Sequence, residues 1–106
     1  MRVLFDIDGY PTEEVLKEIE VWDFSKGSID DFLCLVEDLW SYKDRFVLKG
    51  KHVLRLYLST GGWSGNESII GAMQANLGFW FCGWEKSRRG GHYWFRIKRK
   101  LFNKGD

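Results

Sequence analysis

The chain has 106 residues, 44% hydrophobic and 17% aromatic, with a formal net charge of +1. That length suits one small domain with a modest core, and the composition excludes a disordered chain. No apolar run reaches the roughly 18 residues of a membrane-spanning helix, and Asp6 follows Met1 too closely for a signal peptide.

Residues 2–7 could add a strand. Asp6 to Tyr10 then reads as a turn, with Gly9 free to take a positive φ. Pro11-Thr12-Glu13-Glu14 is a helix start, with Thr12 as cap and acids at the positive end of the dipole; Val15, Leu16, Ile19 and Trp22 follow helical spacing. A second helix begins at Ser28, with Asp30 and Asp31 in its first turn and an apolar side running from Phe32 to Trp40. Residues 43–50 read as a connection. Lys51 to Ser59 alternates with period two and predicts a strand: Leu54, Leu56 and Leu58 face one way, Arg55 and Tyr57 the other. Ser64-x-x-Glu67 has the form of a capping box opening a helix to Asn76, with Gly78 just past its end. Phe79–Glu85 and His92–Lys98 predict two strands of an antiparallel hairpin around Lys86–Gly91.

The order implies an α+β fold: a three-stranded sheet, or four-stranded if residues 2–7 join it, with about three helices on one face and a C-terminal hairpin. Strands 51–59 and 79–85, separated by a helix, are expected to pair in parallel. One domain spans residues 1–106, with 1–10 and 99–106 expected to fray. Cys34 and Cys82 lack C-x-x-C spacing and are expected as reduced core residues.

The small net charge conceals a split. Residues 1–44 hold twelve Asp/Glu against four Lys/Arg, a net of −8; residues 45–106 hold twelve Lys/Arg against three Asp/Glu, a net of +9. Such a split can steer an anionic partner to one side, or let the halves attract within the fold.

Two glycine-rich segments carry the functional signal. Thr60, Gly61, Gly62, Trp63, Ser64, Gly65 and Asn66 lie between a strand and a helix N-terminus, where unsatisfied N–H groups favour anions. The segment is neither a Walker loop nor a dinucleotide-binding fingerprint, and a tight turn packed by Trp63 is the alternative. Arg88, Arg89, Gly90, Gly91 and His92 form a basic hairpin tip: Arg can grip phosphate with two N–H groups, and His can donate to it. A solvated turn is the alternative there. Tyr57 and Trp94, with Arg55 and Arg96, fall on the sheet face away from the leucines, an arrangement that can stack bases. Two His and no His/Cys cluster of ligand spacing point to no metal and no cofactor.

Val3-Leu4-Phe5-Asp6-Ile7-Asp8-Gly9 resembles the first motif of haloacid-dehalogenase-type phosphatases, whose first Asp is the nucleophile. The continuation Tyr10-Pro11-Thr12 departs from that pattern and the chain is too short for that fold, so no catalytic residue is assigned. Leu54 to Glu67, Trp84 to Tyr93, Gly9 to Glu14 and Trp22-Asp23 resemble a family of small proteins encoded by bacteriophages and prophages, over most of the chain to about residue 97. The resemblance implies an accessory factor in the cytoplasm of an infected bacterium and carries no activity with it. Three readings follow: a binder of a phosphate-bearing small molecule or nucleic acid; a factor that engages a host protein through Glu13, Glu14, Asp30 and Asp31; and a phosphodiester-cleaving enzyme using His92 with Arg88 and Arg89. A homodimer contact is a further option for the aromatic residues.

Overall fold

The computed structural model describes residues 3–102. Its elements are α1 (Glu13–Glu20), α2 (Ile29–Leu39), a short 3-10 turn (Lys43–Arg45), β1 (Phe46–Lys49), β2 (Val53–Ser59), α3 (Ser64–Ala75), α4 (Leu77–Gly83), β3 (Trp84–Arg88), β4 (His92–Lys98) and α5 (Arg99–Phe102). The fold is α+β, with a four-stranded, wholly antiparallel sheet in the order β1-β2-β4-β3.

The first two helices form where their caps and periodicity place them. Thr12 Oγ1 accepts from Val15 N at 3.2 Å, and Ser28 Oγ accepts from Asp31 N at 3.0 Å, each satisfying an N–H that the helix itself leaves open. Their buried sides, Val15 and Ile19 on α1 and Ile29 to Leu39 on α2, join the inner sheet face of Leu54, Leu56, Leu58, Phe95 and Ile97 in one core.

Several expectations fail, each for a physical reason. Residues 79–83 are helical, not a strand. Asn76 Oδ1 accepts from Phe79 N at 3.2 Å and starts α4, while its Nδ2 donates to Ile19 O at 3.0 Å and Trp22 O at 3.2 Å. Phe79 and Gly83 are buried and Phe81 and Cys82 exposed, so helical spacing sorts an aromatic run whose β-propensity suggested a strand. Gly78 therefore lies inside α4, not past the end of a helix. Because the segment is helical, no parallel pair forms; β4 lies between β2 and β3, antiparallel to both.

Residues 46–49, read as connection, form β1 and pair with β2 in a hairpin. Gly50, at φ +105°, makes that turn; a Cβ there would overlap Val53 O. Toward the N-terminus only an isolated bridge, Phe5 to Pro11, forms among the described residues. The segment at 99–102, expected to fray, is α5: Phe102 is buried, and Arg99 Nη2 meets Asp30 Oδ1 at 2.6 Å. Of the other residues expected to fray, 3–10 carry the Asp6 turn and the Phe5–Pro11 bridge, and residues 1–2 and 103–106 lie outside the described residues.

Cys34 and Cys82 are exposed, not buried. Cys34 lies on the outer side of α2. Desolvation of its thiol, followed by the negative charges of Asp38, Glu37, Asp31 and Asp30, raises its pKa above the ordinary thiol value. In a Cys82→Ser variant, Cys34 is expected to react with iodoacetamide more slowly than N-acetylcysteine amide, a thiol with no charge nearby, near neutral pH, because less of it is thiolate. The gap should narrow as pH rises; equal rates at neutral pH would contradict the acidic setting of this thiol.

Candidate functional site

The two glycine-rich segments meet at one end of the sheet. Ser59, the last residue of β2, pairs with His92, the first of β4. The next step closes the joint: Thr60 N donates to Gly91 O at 2.9 Å. Gly91 holds φ +81° and lies so close to Thr60 that a Cβ would overlap Thr60 Oγ1. The glycine is required twice here, for its backbone angle and for the contact.

Not every residue expected to bind a ligand is free to do so. Thr60 is buried; its carbonyl accepts from Trp63 N at 3.0 Å and Asn66 Nδ2 at 3.2 Å. Asn66 is fully buried and clamps the loop to the end of α2, with Oδ1 accepting from Ser41 N and Nδ2 donating to Ser41 O, both at 3.0 Å. Thr60 and Asn66 therefore hold the corner together. Trp63 stacks on Tyr10 at 4.7 Å and covers Gly65, so one of its faces is occupied. Ser64 is the first residue of α3 and its hydroxyl donates to Tyr10 Oη at 3.2 Å; Trp63 occupies the cap position without a side-chain hydrogen bond, so the capping box does not form. Gly61 and Gly62, at φ +62° and +75°, are exposed, and Gly61 packs beside Tyr42 and Arg45.

On the hairpin, Arg88, Arg89 and Gly90 are exposed, and Arg88 pairs with His92 across the strands. His92 is half-buried; its Nδ1 shares a 2.6 Å hydrogen bond with the Tyr57 hydroxyl. His92, Tyr57 and Trp94 form a continuous aromatic surface, with ring centroids 5.1 Å apart for Tyr57–Trp94, 6.0 Å for Tyr57–His92 and 6.1 Å for His92–Trp94.

The register extends this surface. Leu54, Leu56, Leu58, Phe95 and Ile97 point into the core, so their neighbours Arg55, Tyr57, Trp94 and Arg96 face outward, with Tyr57 opposite Trp94 and Arg55 opposite Arg96. The same face carries Lys49 opposite Arg55 and Lys86 opposite Trp94. Lys86 Nζ lies 4.8 Å from the Trp94 ring centre. Arg45 reaches this end from the 3-10 turn, its Nη1 donating to Ser59 Oγ at 3.2 Å. A shallow cleft of about 190 Å³ crosses the face between Val47, Arg55, Tyr57, Glu85 and Trp94.

Arg45, Lys49 and Lys86 were not singled out from the sequence. Alternation in β1 would have revealed Lys49 had the strand been recognised. Lys86 depends on a register shift between Trp84 and Lys86, and Arg45 on a tertiary contact with no local signal.

The charge split becomes a division between layers. Glu13, Glu14, Asp30 and Asp31 are exposed on the helices, while the outer sheet face is basic. Among the described residues one ion pair, Arg99–Asp30, joins the two halves of the chain. Asp6, first residue of the phosphatase-like motif, uses Oδ1 to accept from Asp8 N at 2.9 Å and Tyr10 N at 3.0 Å, which fixes a turn. No group of three or more His, Cys, Asp or Glu placed to hold a metal occurs among the described residues. No helix among them is long and apolar enough to cross a membrane. No protein family, curated protein or solved structure matched the chain.

Proposed function

We propose that this is a bacteriophage accessory protein that binds a phosphate-bearing ligand, a nucleotide or nucleic acid, at the corner where the glycine loop and the arginine hairpin meet. One observation carries the reading: the Thr60–Gly91 joint and the Ser59–His92 pair bring exposed Gly61 and Gly62 to the same sheet end as Arg88 and His92. Arg45 adds a third guanidinium to that end. Such groups grip phosphate oxygens through charge-assisted hydrogen bonds. Thr60, Gly65, Asn66 and Gly91 act as framework in this reading; the contacts fall to Arg88, Arg89, His92 and the loop glycines.

Calorimetric titration with ATP, pyrophosphate and a short oligonucleotide at low salt tests it. Arg88→Ala/Arg89→Ala is expected to weaken binding about tenfold or more, in line with about 1.5–3 kcal/mol for hydrogen bonds to a charged group. Absence of binding to all three probes by the unaltered protein would end the proposal.

A second reading has its own observation: acids on both α1 and α2 remain exposed, which suits a basic host protein. In the same titrations Glu14→Lys/Asp31→Lys should leave the phosphate probes' affinity within about twofold, since surface changes away from a contact have small effects. A host-lysate partner lost on that reversal would support the second reading instead.

A further inference from the structure

The outward sheet face is organised in three rows that run across the strands. The first is Lys49, Arg55 and Arg96, on β1, β2 and β4. The second is Val47, Tyr57, Trp94 and Lys86. The third is Ser59, His92 and Arg88, with Arg45 bonded to Ser59. Successive rows lie two residues apart along the strands, about 7 Å, which puts the two cation rows about 14 Å apart, roughly two phosphate spacings of an extended single strand.

The first row is unfavourable for the protein alone. Like charges directly opposite one another in a sheet repel, and here three stand side by side. No ion pair among the described residues engages Lys49, Arg55 or Arg96, and all three are exposed. Glu85, which borders the cleft, is the sole carboxylate among the residues lining it. An anion neutralises the row; the aromatic row beside it says which kind. Tyr57 and Trp94 offer ring surface at the centre of the face, with cations on both sides of it. A single nucleotide would use one cation row. A polymer of alternating base and phosphate uses the whole face.

We propose that this face binds single-stranded nucleic acid running along β2 and β4. Phosphates sit at the corner row (Arg45, Arg88, His92) and at the far row (Lys49, Arg55, Arg96), and intervening bases stack on Tyr57 and Trp94. The proposal rests on the phosphate-binding corner and extends it to a polymeric ligand. Stacking accepts any base, because each has a π-face, so sequence preference should be weak. Salt dependence should be strong, because phosphate contacts release counterions.

Fluorescence anisotropy with labelled oligothymidylate and oligouridylate of about eight nucleotides, a length within the usual site size of such surfaces, tests the proposal. The controls are thymidine monophosphate, an abasic phosphodiester of equal length and polyglutamate. The octamers are expected to bind at least about tenfold more tightly than the monophosphate or the abasic chain, since each stacked base contributes severalfold or more. Arg55→Gln/Arg96→Gln should weaken octamer binding about tenfold and make the slope of log affinity on log salt shallower by about 1.4, two lost contacts at about 0.7 each. Both residues are exposed, so folding should survive, as circular dichroism will verify. Trp94→Val, which keeps a strand-forming residue, should weaken the octamer by a larger factor than pyrophosphate, which has no base to stack. If polyglutamate or the abasic chain binds as well as the octamers, or if the Arg55/Arg96 change has no effect, the proposal is overturned. Binding of ATP and pyrophosphate with no advantage for an octamer overturns this inference and leaves the corner standing; no binding by any probe removes both.

Discussion

Phe79→Ala is expected to destabilise the protein by about 3–5 kcal/mol and to lower the thermal midpoint by about 15 °C or more, read by circular dichroism. Phe79 is fully buried. Its ring lies 4.9 Å from Phe32, 5.5 Å from Phe95, 6.0 Å from Phe102 and 6.5 Å from Phe24. One side chain thus links α2, α4, β4 and α5, and truncation leaves a cavity with rings on several sides that cannot collapse together. Small domains have only about 5–15 kcal/mol of net stability, so this loss would leave little reserve. Phe81, two residues on, is 81% exposed, and Phe81→Ala should change stability by no more than about 0.5 kcal/mol. Comparable effects at both positions would mean that residues 77–83 do not form the helix described, since a strand would place both rings on one face.

Gly91→Ala should cost about 2–5 kcal/mol. Part is the backbone penalty of about 1–2 kcal/mol for a non-glycine residue at positive φ, and the rest is overpacking of about 1–3 kcal/mol where the new methyl meets Thr60. Gly62→Ala is the matched control. It has a similar φ of +75° with no heavy atom within 4 Å of the added Cβ, so only the backbone term of about 1–2 kcal/mol applies. The difference between the two, measured by urea denaturation, isolates the joint between the glycine segments. If the two variants are equally stable, the joint is looser than described. Gly91→Ala should also weaken ATP and oligonucleotide binding more than its stability loss explains, because it separates Arg88 and His92 from the glycine loop.

Which parts of this architecture were legible beforehand follows from the range of the interactions that make them. The caps Thr12 and Ser28, the alternation of β2, the positive-φ turn at Gly9 and strand β4 all depend on contacts within a few residues. So does the outward placement of Arg55, Tyr57, Trp94 and Arg96, because strand alternation is a local property. The partner strand of the C-terminal hairpin, expected at 79–85, lies at Trp84–Arg88. The helix at 77–83 was missed because Phe79, Trp80 and Phe81 favour strands by composition, while the side chain that caps them also binds carbonyls near the end of α1, more than fifty residues earlier. Cys34 was expected inside because cysteine is usually buried, yet it falls on the outer side of a helix whose other positions fill the core.

The amino-acid sequence by itself determined an acidic first half and a basic second half, two glycine-rich turns, and a strand with leucines on one side and arginine and tyrosine on the other. Only the tertiary structure decided that β4 lies beside β2, that Gly91 seats against Thr60, and that Lys49, Arg55 and Arg96 share a row. Pairing partners and register are chosen by which arrangement buries the most apolar surface and satisfies the most backbone groups across the whole chain, and no local stretch contains that comparison.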